Sequence, residues 1–226
     1  MRWLAILLAL LTANATAAPV VVELFTSEGC SSCPPADVLL GELARKPGVI
    51  ALAYHVDYWD ELGWKDRFSI PEAAQRQRGY AKRLARSGPF TPQMVISGDT
   101  SLVGSNRAAV TAGIAEDRDT LRVELSKAEN QLHIQFREAW REPMDVYLVS
   151  YINQATSKIQ RGENTGRTLT HFSVVRSFKT LGPWNGKVQR MTVPLAGLPR
   201  DADAVAVILQ RKNQGAVAGA ATLALR

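Results

Sequence analysis

Val20-Val21-Val22-Glu23-Leu24-Phe25-Thr26-Ser27-Glu28-Gly29-Cys30-Ser31-Ser32-Cys33-Pro34-Pro35-Ala36-Asp37 is the stretch on which the fold turns. Its first six residues are mostly apolar and rich in β-branched side chains, as in a strand covered on both faces. From Pro34 the spacing changes. Val38, Leu39, Glu42 and Leu43 fall near a helical period, and proline is tolerated in a first turn because the N–H groups there lack partners. Cys30 and Cys33 are the chain's two cysteines, and they lie where the strand ends and the helix begins. Free N–H groups and the helix dipole favour an anion at that place, and a stabilised thiolate means a lowered cysteine pKa.

A disulfide closing so short a loop stabilises a fold by only about 2 kcal/mol in the chain-entropy model, against almost 5 for a long loop. The pair therefore reads as a redox-active dithiol better than as a staple. An inert disulfide stays open as an alternative, as does a metal site such as Cu(I) held by Cys30, Cys33 and His55. Zinc usually asks for a second cysteine pair or paired histidines, which the chain lacks.

Strand, Cys-x-x-Cys at a helix start, and a later Thr91-Pro92 ahead of Met94-Val95-Ile96 resemble the thioredoxin fold. The fuller string Glu23 to Asp37, together with His55-Val56-Asp57-Tyr58-Trp59-Asp60, closely resembles a bacterial family of exported thioredoxin-like proteins catalogued as domain of unknown function 1223. The resemblance implies an α/β thioredoxin-like N-terminal domain, a dithiol chemistry and no defined substrate. It also implies a cis Thr91-Pro92 bond facing the dithiol, with Thr91 backbone groups pairing to an extended substrate peptide as an added strand. Thioredoxins carry a buried acid six residues before the first cysteine. Glu23 stands seven before, and strand alternation turns it to the other face.

The chain opens with Met1-Arg2, an apolar run from Trp3 to Leu11, and Ala-x-Ala at 13–15 and 15–17, the layout of a cleaved secretory signal over 1–18. Export, periplasmic or secreted, places the cysteines in an oxidising compartment. Loss of Arg2 takes the formal charge from +6 to +5. The basic residues are scattered outside Arg76 to Arg86, without an aromatic stacking platform, so nucleic acid is not an expected partner. Nor is a membrane span expected in the mature chain.

Val49 to Asp57 reads as a second, central strand with His55 and Asp57 at its C-terminal end, where chemistry gathers in α/β sheets. A partly buried histidine bonded to backbone is the other reading of His55. The aromatic stretch Tyr58 to Phe68 begins an insertion at about 58–88 that can roof the dithiol with Trp59 and Trp64. Pro71 to Ser87 reads as a helix capped by Ser69. Gly98-Asp99 marks a hairpin, and Asn106 caps a further helix. The order is strand, helix, strand, helix, hairpin, helix over 19–118. From 120 to 226 some seven short strands suggest a separate all-β, sandwich-like domain. His171 and Arg176 there read as structural.

The expected function is an exported thiol–disulfide oxidoreductase acting on protein or peptide thiols and disulfides, without a cofactor. Cys30 is the attacking thiolate, nearer solvent, and Cys33 resolves the mixed disulfide. Ser31 and Ser32 offer hydroxyl donors to the Cys30 sulfur, Glu28 opposes its charge, and Asp37 can relay the Cys33 proton. Thr91 and Pro92 bind substrate; His55, Asp57 and Trp59 support the site. A non-catalytic binding protein and a copper metallochaperone are the competing functions.

Overall fold

The computed structural model describes residues 18–116 and 118–226. The signal peptide expected at 1–18 lies, but for Ala18, outside the described residues. β1 (Val20–Thr26) feeds α1 (Pro34–Leu43) through the cysteine loop. β1 alternates cleanly: Val22 and Leu24 pack with Leu39, Leu40 and Leu43 of α1, while Val21 and Phe25 share a core on the opposite face. β2 (Val49–His55) runs parallel to β1. A 3₁₀ turn at Asp60–Leu62 and α2 (Pro71–Arg83) follow, then the hairpin of β3 (Gln93–Ile96) and β4 (Thr100–Val103), then α3 (Arg107–Ala115). Asn106 caps α3 by accepting from the Ala109 N–H. Ser69 does not cap α2: Ile70 holds that position, and the Ser69 hydroxyl donates to the Asp66 carbonyl.

The later elements are β5 (Val123–Ala128), β6 (Gln131–Phe136), β7 (Met144–Lys158), β8 (Thr168–Trp184), β9 (Gln189–Pro194), β10 (Ala204–Arg211) and β11 (Val217–Ala224). They do not form a separate domain. One eight-stranded mixed sheet runs β11-β10-β7-β8-β2-β1-β3-β4 through both halves of the chain. The junction is a parallel pairing of β2 with β8 at Ala53 and Val174. The expected class, an α/β thioredoxin-like domain followed by an all-β sandwich-like domain, is therefore wrong: the protein is mostly β, 42% strand and 17% helical.

The physical reason is shared apolar surface. Val149, Val175, Ala206, Ile208 and Val217 from the second half complete one core with Val21, Phe25, Tyr54 and Val95 from the first. Splitting them would expose both sets. A smaller sheet, β5-β6-β9, covers the outer part of the large one, with Leu132, Ile134 and Phe136 against Val146, Trp184 and Val207. Glu23 faces α2, as alternation requires, and is fully buried in a two-pronged ion pair with Arg76 at 2.6 and 3.0 Å, joined by Tyr80. The Arg76 guanidinium also lies over the Phe178 ring, 4.7 Å from its centre, so this network too spans both halves.

β7 and β8 form a long hairpin whose tip, near residues 159–167, comes back to the cysteine loop. β8 lies so close to α1 that a Cβ on Gly41 would sit 2.3 Å from the Phe172 ring. Only glycine permits that approach, and it sets His171, one residue earlier, beside the site.

Candidate functional site

Cys30 and Cys33 are joined in a disulfide, with Cα atoms 5.4 Å apart. Cys33 is the N-cap of α1, and the N–H groups of Ala36 and Asp37 donate to its carbonyl. Ser31 and Ser32 are exposed, and the Ser32 hydroxyl lies 3.4 Å from the Cys30 sulfur. Both cysteines are fully buried, contrary to the expectation that Cys30 faces solvent. Two segments lie against their loop. Trp59 packs its Cβ on Gly29. From the other side Asn164, at the β7–β8 tip, donates its amide to the carbonyls of Glu28 at 2.9 Å and Cys30 at 3.0 Å. Its neighbour Glu163 accepts the Ser31 N–H at 3.1 Å. The Ser31 hydroxyl and then its N–H hold the Glu163 carboxyl below its ordinary pKa.

Under this loop sits a buried cluster of ionisable groups. The His55 Nδ1 pairs with Asp66 at 2.7 Å, and the same carboxylate accepts the Glu28 N–H. Burial pushes the Asp66 carboxyl up, but the His55 charge and these hydrogen bonds outweigh it and leave it below the usual range. Glu28 is fully buried. Burial raises it too, but His171, Ser157 and the Trp64 indole N–H, 2.7 Å away, bring it down. Asp37 behaves differently: burial lifts its carboxyl to about 7, and the His171 imidazole only partly offsets that. His171 stands edge-on to His55, ring centres 4.7 Å apart.

The Thr91–Pro92 bond is cis, as expected. The Trp59 indole N–H donates to the Thr91 hydroxyl at 2.8 Å, so this one side chain links the cis turn to the cysteine loop. A Cβ on Gly104 would lie 3.2 Å from both Pro92 and Ala36, which places the turn against the start of α1.

The structure thus gathers Cys30, Cys33, Ser31, Ser32, Asp37, His55, Trp59, Thr91 and Pro92. Asp57 stays apart: β2 ends at His55, the chain turns, and Asp57 is exposed. Asp66 is the carboxylate that His55 meets. Among the described residues no three His, Cys, Asp or Glu side chains are arranged to hold a metal ion. No helix of the described residues is long and apolar enough to cross a membrane. The sequence assigns no role to Asp66, Glu163 or Asn164. Of His171 and Arg176, both expected to be structural, His171 joins the cluster, while Arg176 pairs with Asp201 at the surface.

Strand, disulfide loop and helix, backed by buried acids and histidines, define a protein with a cysteine pair at the C-terminal end of an inner strand of a mixed sheet. The chain belongs to the family described as protein of unknown function (DUF1223), which matches residues 21–210. It is similar to the crystal structure of an Agrobacterium tumefaciens protein, with 30% identity, a TM-score of 0.82, and coverage of 94% of this chain and 97% of that one. It also resembles HBP35 of Porphyromonas gingivalis in fold, at 17% identity and a TM-score of 0.57, over 92% of this chain and 75% of that chain. No curated protein matches the chain.

Proposed function

We propose that the protein is an exported thiol–disulfide oxidoreductase whose Cys30–Cys33 pair exchanges with thiols and disulfides of proteins or peptides. The observation that carries this reading is the disulfide itself, closed between cysteines three apart in sequence at the N-cap of α1 and backed by a carboxyl that burial pushes up to about 7. A bridge so short contributes little to stability, and a buried acid at about 7 matches a group that must give and take a proton at working pH. In exchange, a substrate thiolate attacks the Cys30 sulfur and forms a mixed disulfide. The Cys30–Cys33 bond breaks with its electron pair on the Cys33 sulfur, which takes a proton. The substrate's second thiolate then displaces Cys30 and closes the substrate disulfide, so the substrate loses two electrons and the cysteine pair gains them. The reverse sequence oxidises the pair.

Full burial of both cysteines means that attack requires the β7–β8 tip or the Trp59 segment to move. The signal-like leader supports work outside the cytoplasm. Insulin reduction and refolding of scrambled ribonuclease are the tests. The wild-type chain should accelerate one of them, and Cys30→Ser should not. Equal rates for wild type and Cys30→Ser would leave the pair a structural disulfide.

A further inference from the structure

β8 brings one group from the second half of the chain into the acid cluster below the disulfide. His171 is 1% exposed. Its Nε2 lies 3.4 Å from Glu28 Oε1 and its Nδ1 lies 4.0 Å from Asp37 Oδ2. Neither ring nitrogen completes a hydrogen bond, and Glu28 Oε1 completes none either. Buried polar atoms normally have partners, and an imidazole between two carboxyls with its bonds unmade is placed for proton movement. Glu28 is fixed from its other oxygen by Trp64. Asp37 sits one turn beyond Cys33, its N–H on the Cys33 carbonyl, and it lines a surface groove with Pro34, Val38, Arg45 and Thr168. The charged or titratable groups around Asp37 and His171 are therefore Glu28 on the cysteine loop, Asp66 and His55 behind it, and Arg45 in the groove.

We infer that His171 is a positioning residue that ties Asp37 to Glu28 in a buried carboxyl–imidazole–carboxyl relay serving the Cys33 sulfur; this rests on the exchange reading above. When a thiolate attacks Cys30 and the bond to Cys33 breaks, Asp37 gives its proton to the Cys33 sulfur. A doubly protonated His171 gives its Nδ1 proton to the Asp37 carboxylate and keeps the Nε2 proton that faces the Glu28 carboxylate. The proton released by the substrate thiol then returns from solvent in the groove through the Asp37 carboxyl to Nδ1, which restores both groups. In the oxidising direction Cys33 returns its proton to Asp37 by the same route. The second half of the chain thereby supplies part of the acid–base apparatus for a cysteine pair in the first.

The test uses the full chain with carboxyl-labelled aspartate, oxidised, followed by NMR against pH, with Asp37→Asn assigning the resonance. His171→Gln should raise the Asp37 midpoint by about one pH unit or more, the effect of removing a charge partner within 4–6 Å. Glu28→Gln should move it down, because that carboxylate opposes Asp37 ionisation, and this variant leaves β8 untouched. The pH inflection for release of glutathione from a Cys30 mixed disulfide by Cys33 should follow the same midpoints. A His171 that merely filled space would leave the His171→Gln midpoint and the release inflection of that variant unchanged. An unmoved midpoint in either folded variant overturns the relay. Failure of the wild type on insulin and on scrambled ribonuclease would instead remove the proposed function and leave the NMR result standing.

Discussion

Asn164→Ala should unlatch the dithiol. Asn164 is 1% exposed, and its amide holds the carbonyls of Glu28 and Cys30 against the β7–β8 tip. Each such bond contributes about 1 kcal/mol net, and an abandoned buried carbonyl costs about that or more. Losing both shifts the local opening equilibrium by about 2 kcal/mol, or roughly thirtyfold. The third contact, Glu163 to the Ser31 N–H, is exposed and adds little. With fast closing, the rate of disulfide reduction by dithiothreitol follows the open population, as exchange through local opening does. That rate, read by alkylation and mass, should therefore rise roughly thirtyfold. Thr165→Ala is the control, since that hydroxyl bonds only the Gly162 carbonyl within the tip itself. Urea unfolding fixes the global loss, which should be no more than a few kcal/mol. A rate equal to wild type in folded Asn164→Ala would refute the reasoning and leave the Trp59 side as the way in.

Arg76→Met should cost about 3–5 kcal/mol in urea unfolding, because it strands the fully buried Glu23 carboxylate; adding Glu23→Gln should recover part of that, and a loss below about 1 kcal/mol would show the pair to be solvated. The pH dependence of stability should carry the mark of Asp37, whose carboxyl rises from 3.8 in the unfolded chain to about 7 when folded. A raised carboxyl stabilises fully below the unfolded value and loses that contribution as pH climbs through the folded one, so wild type should lose up to about 4 kcal/mol between pH 4 and 7. Asp37→Asn should lack this slope, and equal slopes in the two proteins would contradict it. Trp59→Phe and Thr91→Val each remove one end of the same hydrogen bond. Each should cost about 1 kcal/mol, and the double variant scarcely more than either; additive losses in a double-mutant cycle would mean the two side chains act separately.

Local chemistry determined a good part of this protein. The β-branched run to Phe25 and the two prolines after Cys33 set a strand, a loop and a helix, and so the place of the cysteine pair. Period-two alternation sent Glu23 away from the dithiol and toward α2. Asn106 marked the start of α3, while the cis Thr91–Pro92 bond was implied by the family resemblance and not by local spacing. Strands after residue 120 were legible because alternation is a property of neighbours in sequence. The single sheet was not, because β8 meets β2 only when both have apolar edges to cover, and nothing near Val174 names Ala53 as its partner. His55 was legible as a residue at a strand end, but its carboxylate was not: Asp57 shares its local pattern and points to solvent, while Asp66 arrives on a loop. Asn164 meets the Cys30 carbonyl from 134 residues away, at the tip of a hairpin whose length alone brings it there. Sequence periodicity reports which face of an element is buried; which buried groups then touch is decided by packing across the whole sheet, and the acid–imidazole cluster under the disulfide exists only at that level.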